Sequence, residues 1–200
     1  MTGADPDSLR VALLYHGDPS ATGWLGESLA WELAAALRDA GHRPTLLTSH
    51  RSPTRRSFEQ GISVIRSRRL PEWALRKRGI AGPLTHLPLT ARALMTGHYE
   101  IAHAFTPPDA LAALAWRSVR KGPVVFTWAG PVSREVLADL RLRLRLVRLA
   151  TERTDAVVAP TEESRVALRR WLAIDTPTID AGDAGGHDRL YRTLLCATPS

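Results

Sequence analysis

RVALLYHGDPSATGWLGESLAWELAAALRDAGHRPTLLTS, residues Arg10 to Ser49, is the stretch whose pattern decides the fold. It opens on an apolar strand (RVALLYH) and passes through a polar turn with glycines (GDPSATG). A long amphipathic helix (WLGESLAWELAAALRDAG) and a second strand (RPTLLTS) follow. In the helix, Leu25, Leu29, Leu33 and Leu37 recur every four residues with Ala36 and Ala40 alongside, so one stripe is apolar. Glu27, Glu32, Arg38 and Asp39 are left to face water. Gly41 supplies a C-terminal stop and Pro44 limits where the next strand begins. Such a unit sets the N–H groups of a helix N-terminus beside the carboxyl edge of a parallel sheet, where an anion is accepted. Function is expected at that edge.

Outward from this unit the order repeats. The pattern predicts a strand Ile62–Arg66, a basic connector, a helix from about Leu84 to Met95 and a strand Ile101–Phe105. It continues with a helix Ala110–Val119, a strand Val124–Thr127, a long helix within Ser133–Arg153, a strand Ala156–Ala159 and a helix Glu162–Leu172. Strands alternating with helices define an α/β fold: a Rossmann-like, doubly wound, mainly parallel sheet in a three-layer α/β/α domain. Residues 1–9 are expected to be a mobile tail, 10–179 the domain, and 180–200 a glycine-rich linker and tail. Leu140–Leu149 (LRLRLRLVRL) alternates like a strand, but it continues a run without glycine or proline and is rich in helix formers. As a helix it would spread leucines around its axis and be buried on more than one side, or offer a face to a partner.

Two hundred residues with 44% apolar content suit one soluble domain. The start, MTGADPDSLR, lacks the basic and apolar regions of a secretory signal, and no apolar run approaches the roughly 18 residues of a membrane span. A cytoplasmic location is expected. The single cysteine, Cys196, predicts neither a disulfide nor a cysteine metal site. Lys and Arg total 27 against 20 acids, a net charge of +7, but with lysine only at Lys77 and Lys121. An arginine- and alanine-rich chain of this kind reflects coding bias as readily as a nucleic-acid partner, and none is expected. The charge is local: Arg51, Arg55, Arg56, Arg66, Arg68, Arg69, Arg76, Lys77 and Arg78 face only Glu59 and Glu72 within one stretch. It reads either as an anion-seeking surface or as a solvated edge.

Position along the sheet selects the candidate residues. After strand one come His16, Gly17, Asp18, Ser20, Thr22 and Gly23; after Ile101–Phe105, Thr106 and Asp109; after Val124–Thr127, Trp128 and Gly130; after Ala156–Ala159, Thr161, Glu162 and Ser164. The glycines at 17, 23 and 26 do not form GxGxxG, and strand two ends on Thr48, Ser49 and His50 without a ribose-binding acid, so a dinucleotide is not expected. Thr22 and Gly23 either receive a phosphate or sugar hydroxyl or simply start the helix. Seven histidines show no metal spacing, and Asp5 and Asp7 precede the first strand, so no metal is expected. His103 lies within a strand, where a core histidine is the commoner case; His16, at a strand's carboxyl end, is the candidate base. No GxSxG elbow is present.

The run from Val11 through Gly23 to Thr48, EIAHAFTP (Glu100–Pro107), PVVFTWAG (Pro123–Gly130) and DAVVAPTEESRVAL (Asp155–Leu168) together resemble the N-terminal, acceptor-side domain of GT-B glycosyltransferases of family 4, from about Val11 to Asp183. The resemblance implies a retaining, metal-independent sugar transfer from a nucleotide-sugar co-substrate, in a cleft between two Rossmann-like domains. It implies a sugar or lipid-linked acceptor on this domain, with Thr22 and Gly23 matching the turn that touches the donor diphosphate. The other implied donor-phosphate or acceptor contacts are His103, Thr106, Asp109, Trp128, Gly130, Thr161 and Glu162. A donor-binding half is expected on another polypeptide or on a longer parent chain. A peripheral position at an anionic membrane surface is also implied.

Three departures stand out. Phe105 occupies a position where the family commonly has histidine; Ala129-Gly130 stands for His-Gly; Asp180 and Ala181 replace proline and asparagine. The first two remove polar groups from the cleft. They leave open an alternative: a degenerate, non-catalytic domain that binds a sugar, a lipid or a partner protein.

Overall fold

The computed structural model describes residues 7–16, 26–50, 52–68, 86–128 and 141–198. Seven strands form one sheet: β1 (Arg10–Leu14), β2 (Arg43–His50), β3 (Arg55–Glu59), β4 (Ile62–Arg68), β5 (Ile101–Ala104), β6 (Val124–Thr127) and β7 (Ala156–Val158). Among the described residues there are six helices: α1 (Gly26–Asp39), α2 (Leu87–Thr96), α3 (Pro107–Arg120), α4 (Arg141–Arg153), α5 (Glu162–Leu172) and α6 (Ala184–Ala197). The strand order is β3-β4-β2-β1-β5-β6-β7, parallel throughout except for the β3–β4 pair. The order reverses between β1 and β5, so the crevice of this sheet opens beyond Leu14 and Ala104.

Alternation along each strand divides the core into two apolar layers. Val11 and Leu13 of β1 join Leu33, Leu37 and Tyr191 beneath α1 and α6. Ala12 and Leu14 join Leu94, Ala113, Trp116, Val147 and Leu168 beneath α2 to α5. The central strands are buried on both faces, as a parallel sheet covered by helices requires.

The expected architecture holds, with differences that have physical causes. Strand β3 was not anticipated. It pairs antiparallel with β4 through a two-residue turn in which Gln60 (φ 50) and Gly61 (φ 78) are both left-handed, the conformation that matches strand twist in tight hairpins. Helix α3 starts earlier than expected because Thr106 caps it and Pro107 and Pro108, whose fixed φ suits a first turn, open it. Helix α4 does not bury its leucines all round: Val147 and Ala150 face the core with Leu144 partly covered, while Leu149 is 39% exposed.

The expected linker and tail of 180–200 is corrected most. Asp183 accepts the Gly186 N–H (2.8 Å) and caps α6, whose Tyr191 is fully buried. The glycines suggest a linker, but a Cβ at Gly186 would crowd the capping carboxylate of Asp183, so the close cap itself favours glycine. At the other end, Leu9 of the expected tail is buried and donates its N–H to His42 Nδ1 (3.3 Å).

Candidate functional site

Three elements converge at the reversal of strand order. Strand β1 runs out to His16, whose backbone is guided by the Tyr15 N–H to Leu47 O bond (3.0 Å). Helix α3 opens on Thr106, which donates to Asp109 Oδ2 (2.6 Å) and accepts the Asp109 N–H (3.3 Å). Helix α2 is preceded by His86 and has Thr90 in its first turn. Asp109 joins all three. Its Oδ2 accepts the His16 N–H (3.0 Å), and its Oδ1 meets both His16 Nδ1 and His86 Nε2, the latter at 3.1 Å. Thr90 Oγ1 closes the far end of the His16 ring at Nε2 (3.1 Å), and the His16 and His86 rings stack with centroids 4.0 Å apart and planes 8° apart.

All five side chains are buried. Burial raises the Asp109 pKa, but the His16 charge and hydrogen bond, with His86 in support, outweigh it and hold the carboxyl far below the usual carboxylate range. The ligand atoms of His16, His86 and Asp109 lie within 4.8 Å of one another, which suggests a metal. The ring geometry opposes it. An ion about 2.0–2.1 Å from each nitrogen should lie near the plane of each imidazole, and two parallel stacked rings share no such point. As arranged, the cluster is a hydrogen-bonded carboxylate.

The other candidates separate. His103 points away from this cluster, toward α6: its Nδ1 meets the Tyr191 hydroxyl (2.7 Å) and its Nε2 the Thr127 hydroxyl (2.6 Å), while its ring stacks on Phe105 at 4.8 Å. Burial, and then neighbouring His187, push its pKa well below the ordinary value. It is a core histidine, and Phe105 packs in the same layer. Trp128 is also fully buried, edge-on to Phe126. Thr161 caps α5 by accepting the Ser164 N–H (3.1 Å) and is exposed, as is Glu162. The Arg165 guanidinium pairs with Glu162 (2.5 and 2.8 Å) and lowers its pKa, with help from Thr178. Glu162 borders a surface groove of about 400 Å3 that also includes Val166, Arg170 and Trp171. Thr22, Gly23 and Gly130 lie outside the described residues.

His86, Thr90, Thr127, Tyr191 and His187 escaped the sequence reasoning. His86 alone left a trace, since Pro88 two residues on marks a helix start.

A mainly parallel sheet of this order, with its polar groups beyond the strand ends, defines a Rossmann-like α/β domain. Residues 26–179 match the family model described as Glycosyltransferase Family 4, and the chain belongs to that family. Solved structures agree on the fold. A form of sucrose-phosphate synthase from Thermosynechococcus elongatus superposes with a TM-score of 0.64 at 17% identity, over 93% of this chain and 99% of that one. A longer form gives 0.60 at 16%, over 84% of this chain and 47% of that one. Anabaena Alr3699/HepE, in complex with UDP and glucose, gives 0.55 at 18%, over 81% and 41%. The chain thus spans less than half the length of these longer structures. No curated protein matched the sequence.

Proposed function

We propose that this family 4 domain is the acceptor-side half of a retaining, metal-independent glycosyltransferase that uses a nucleotide-sugar. One observation carries the proposal: the polar groups Thr106, Asp109, Thr161 and Glu162 of the matched family span, joined by His16 ahead of it, fall beyond the carboxyl ends of β5, β7 and β1. That is where an open parallel sheet receives its ligand. The similar Anabaena protein holds UDP and glucose, which supports a nucleoside-diphosphate sugar as co-substrate. The division of labour is inferred from length. Similar structures contain about as much chain again, and a second domain of that size would grip the nucleotide, from the same polypeptide or another.

In this scheme Thr161 and Glu162, exposed at the ligand face, touch the acceptor, and Thr22 with Gly23 meets the donor diphosphate through backbone N–H groups. Asp109 and Thr106 build the floor. Among the described residues no helix is long and apolar enough to cross a membrane. The basic stretch suits a peripheral, cytoplasmic position against anionic lipid, because Arg55, Arg56 and Arg68 are exposed beside the β3–β4 hairpin.

The test is titration of the 200-residue chain with UDP-glucose, followed by NMR. Weak binding, in the millimolar range or above, is expected. Micromolar binding would move the donor site onto this domain and contradict the acceptor-side assignment.

A further inference from the structure

We propose that Asp109 and Thr90 are positioning residues that fix the imidazole of His16 in one tautomer and one orientation at the reversal of strand order. The idea rests on the carboxyl edge being the ligand face, but the experiment below does not require sugar transfer. Asp109 holds His16 twice: Oδ2 takes the backbone N–H and Oδ1 takes the ring, so chain direction and ring rotation are set by one carboxylate. An ionised carboxylate only accepts hydrogen bonds. The ring atoms that meet Asp109 Oδ1, Nδ1 of His16 and Nε2 of His86, therefore both carry protons. The two stacked rings are protonated at opposite nitrogens toward a single oxygen.

Stacking at 4.0 Å blocks rotation of either ring, and Thr90 engages the remaining nitrogen of His16. Asp109, Thr90 and the His16 ring are all buried, so Asp109 and Thr90 act by setting the position of the His16 ring rather than by touching a ligand. Helix α2 is thereby coupled to the end of β1, although Thr90 lies 74 positions after His16.

The experiment is 15N NMR of histidine-labelled chain, with His16 assigned by loss of its signals in His16→Gln. Wild type is expected to show a His16 Nδ1 proton far downfield and in slow exchange with water. In Asp109→Asn that proton should exchange about 10–100-fold faster, the worth of one hydrogen bond to a charged group, and both tautomers should appear. Thr90→Val should shift the His16 Nε2 resonance, and the conservative Thr90→Ser should restore it. An unprotonated Nδ1 in wild type, or no change in Asp109→Asn, overturns the proposal. If Asp109→Asn does not fold, the Thr90 pair decides: identical His16 spectra for Thr90→Val, Thr90→Ser and wild type overturn it.

Discussion

Two histidines illustrate how burial sets chemistry. His103 sits mid-strand and is desolvated, so it folds as a neutral base; His187 beside it, ring centroids 5.5 Å apart, is pushed down from 6.5 to about 4 by burial. For such groups the unfolded state binds more protons below the ordinary histidine pKa. The contribution of His187 is therefore complete above pH 6.5 and is lost as pH falls toward 4, and that of His103 is lost in the same direction. At roughly 1.4 kcal/mol per pH unit, His187 alone accounts for about 3 kcal/mol across that window. Urea unfolding of His187→Leu between pH 4 and 7 should show a shallower pH slope than wild type; His103 supplies the remainder. Asp109 works in a lower window, because its depressed pKa stabilises the fold above its ordinary 3.8 and loses that benefit only in stronger acid. Thr106→Ala removes both the α3 cap and a hydrogen bond to Asp109, and should cost about 1–2 kcal/mol by the same measurement.

At the scale of elements, what the sequence disclosed followed periodicity. The α1 stripe and the four-residue runs IAHA and VVFT, buried on both faces, announced themselves as helix and parallel strands. Strand β3 did not, because RRSFE is short, charged and on the sheet edge, with Phe58 76% exposed, and its turn is Gln-Gly rather than the familiar Asn-Gly. Helix α6 was hidden by its glycines and aspartates, which serve the cap. Of the site, His16 and Asp109 were legible as strand-end residues. Their pairing was not, because it brings together residues 93 positions apart in the chain. Helix α6 closes one apolar layer through Tyr191, so Tyr191→Ala should cost about 3–5 kcal/mol in thermal or urea unfolding. Tyr191→Phe should cost less, about 1–3 kcal/mol, for the hydrogen bond lost at His103 Nδ1.

For the whole molecule, charge and length point outward. Arg66 is partly neutralised within the hairpin, since Glu59, its pKa lowered to about 2 by that guanidinium, pairs with it (2.8 Å). Arg55, Arg56 and Arg68 remain exposed. Co-sedimentation with anionic vesicles should exceed that with neutral ones and fall as salt rises, since the Debye length shrinks from about 10 Å at 0.1 M. Equal binding to both would assign the basic stretch to solvation alone. The most direct measurement of the acceptor-side role is sugar transfer from a nucleotide-sugar to a suitable acceptor, by this chain alone and with a matching donor-binding half. No transfer alone, transfer on addition of that half, and its loss on Gly23→Trp are expected, as a bulky residue would crowd the diphosphate. Robust transfer by the 200 residues alone would contradict the assignment, and failure with the correct half and acceptor would favour a domain that only binds.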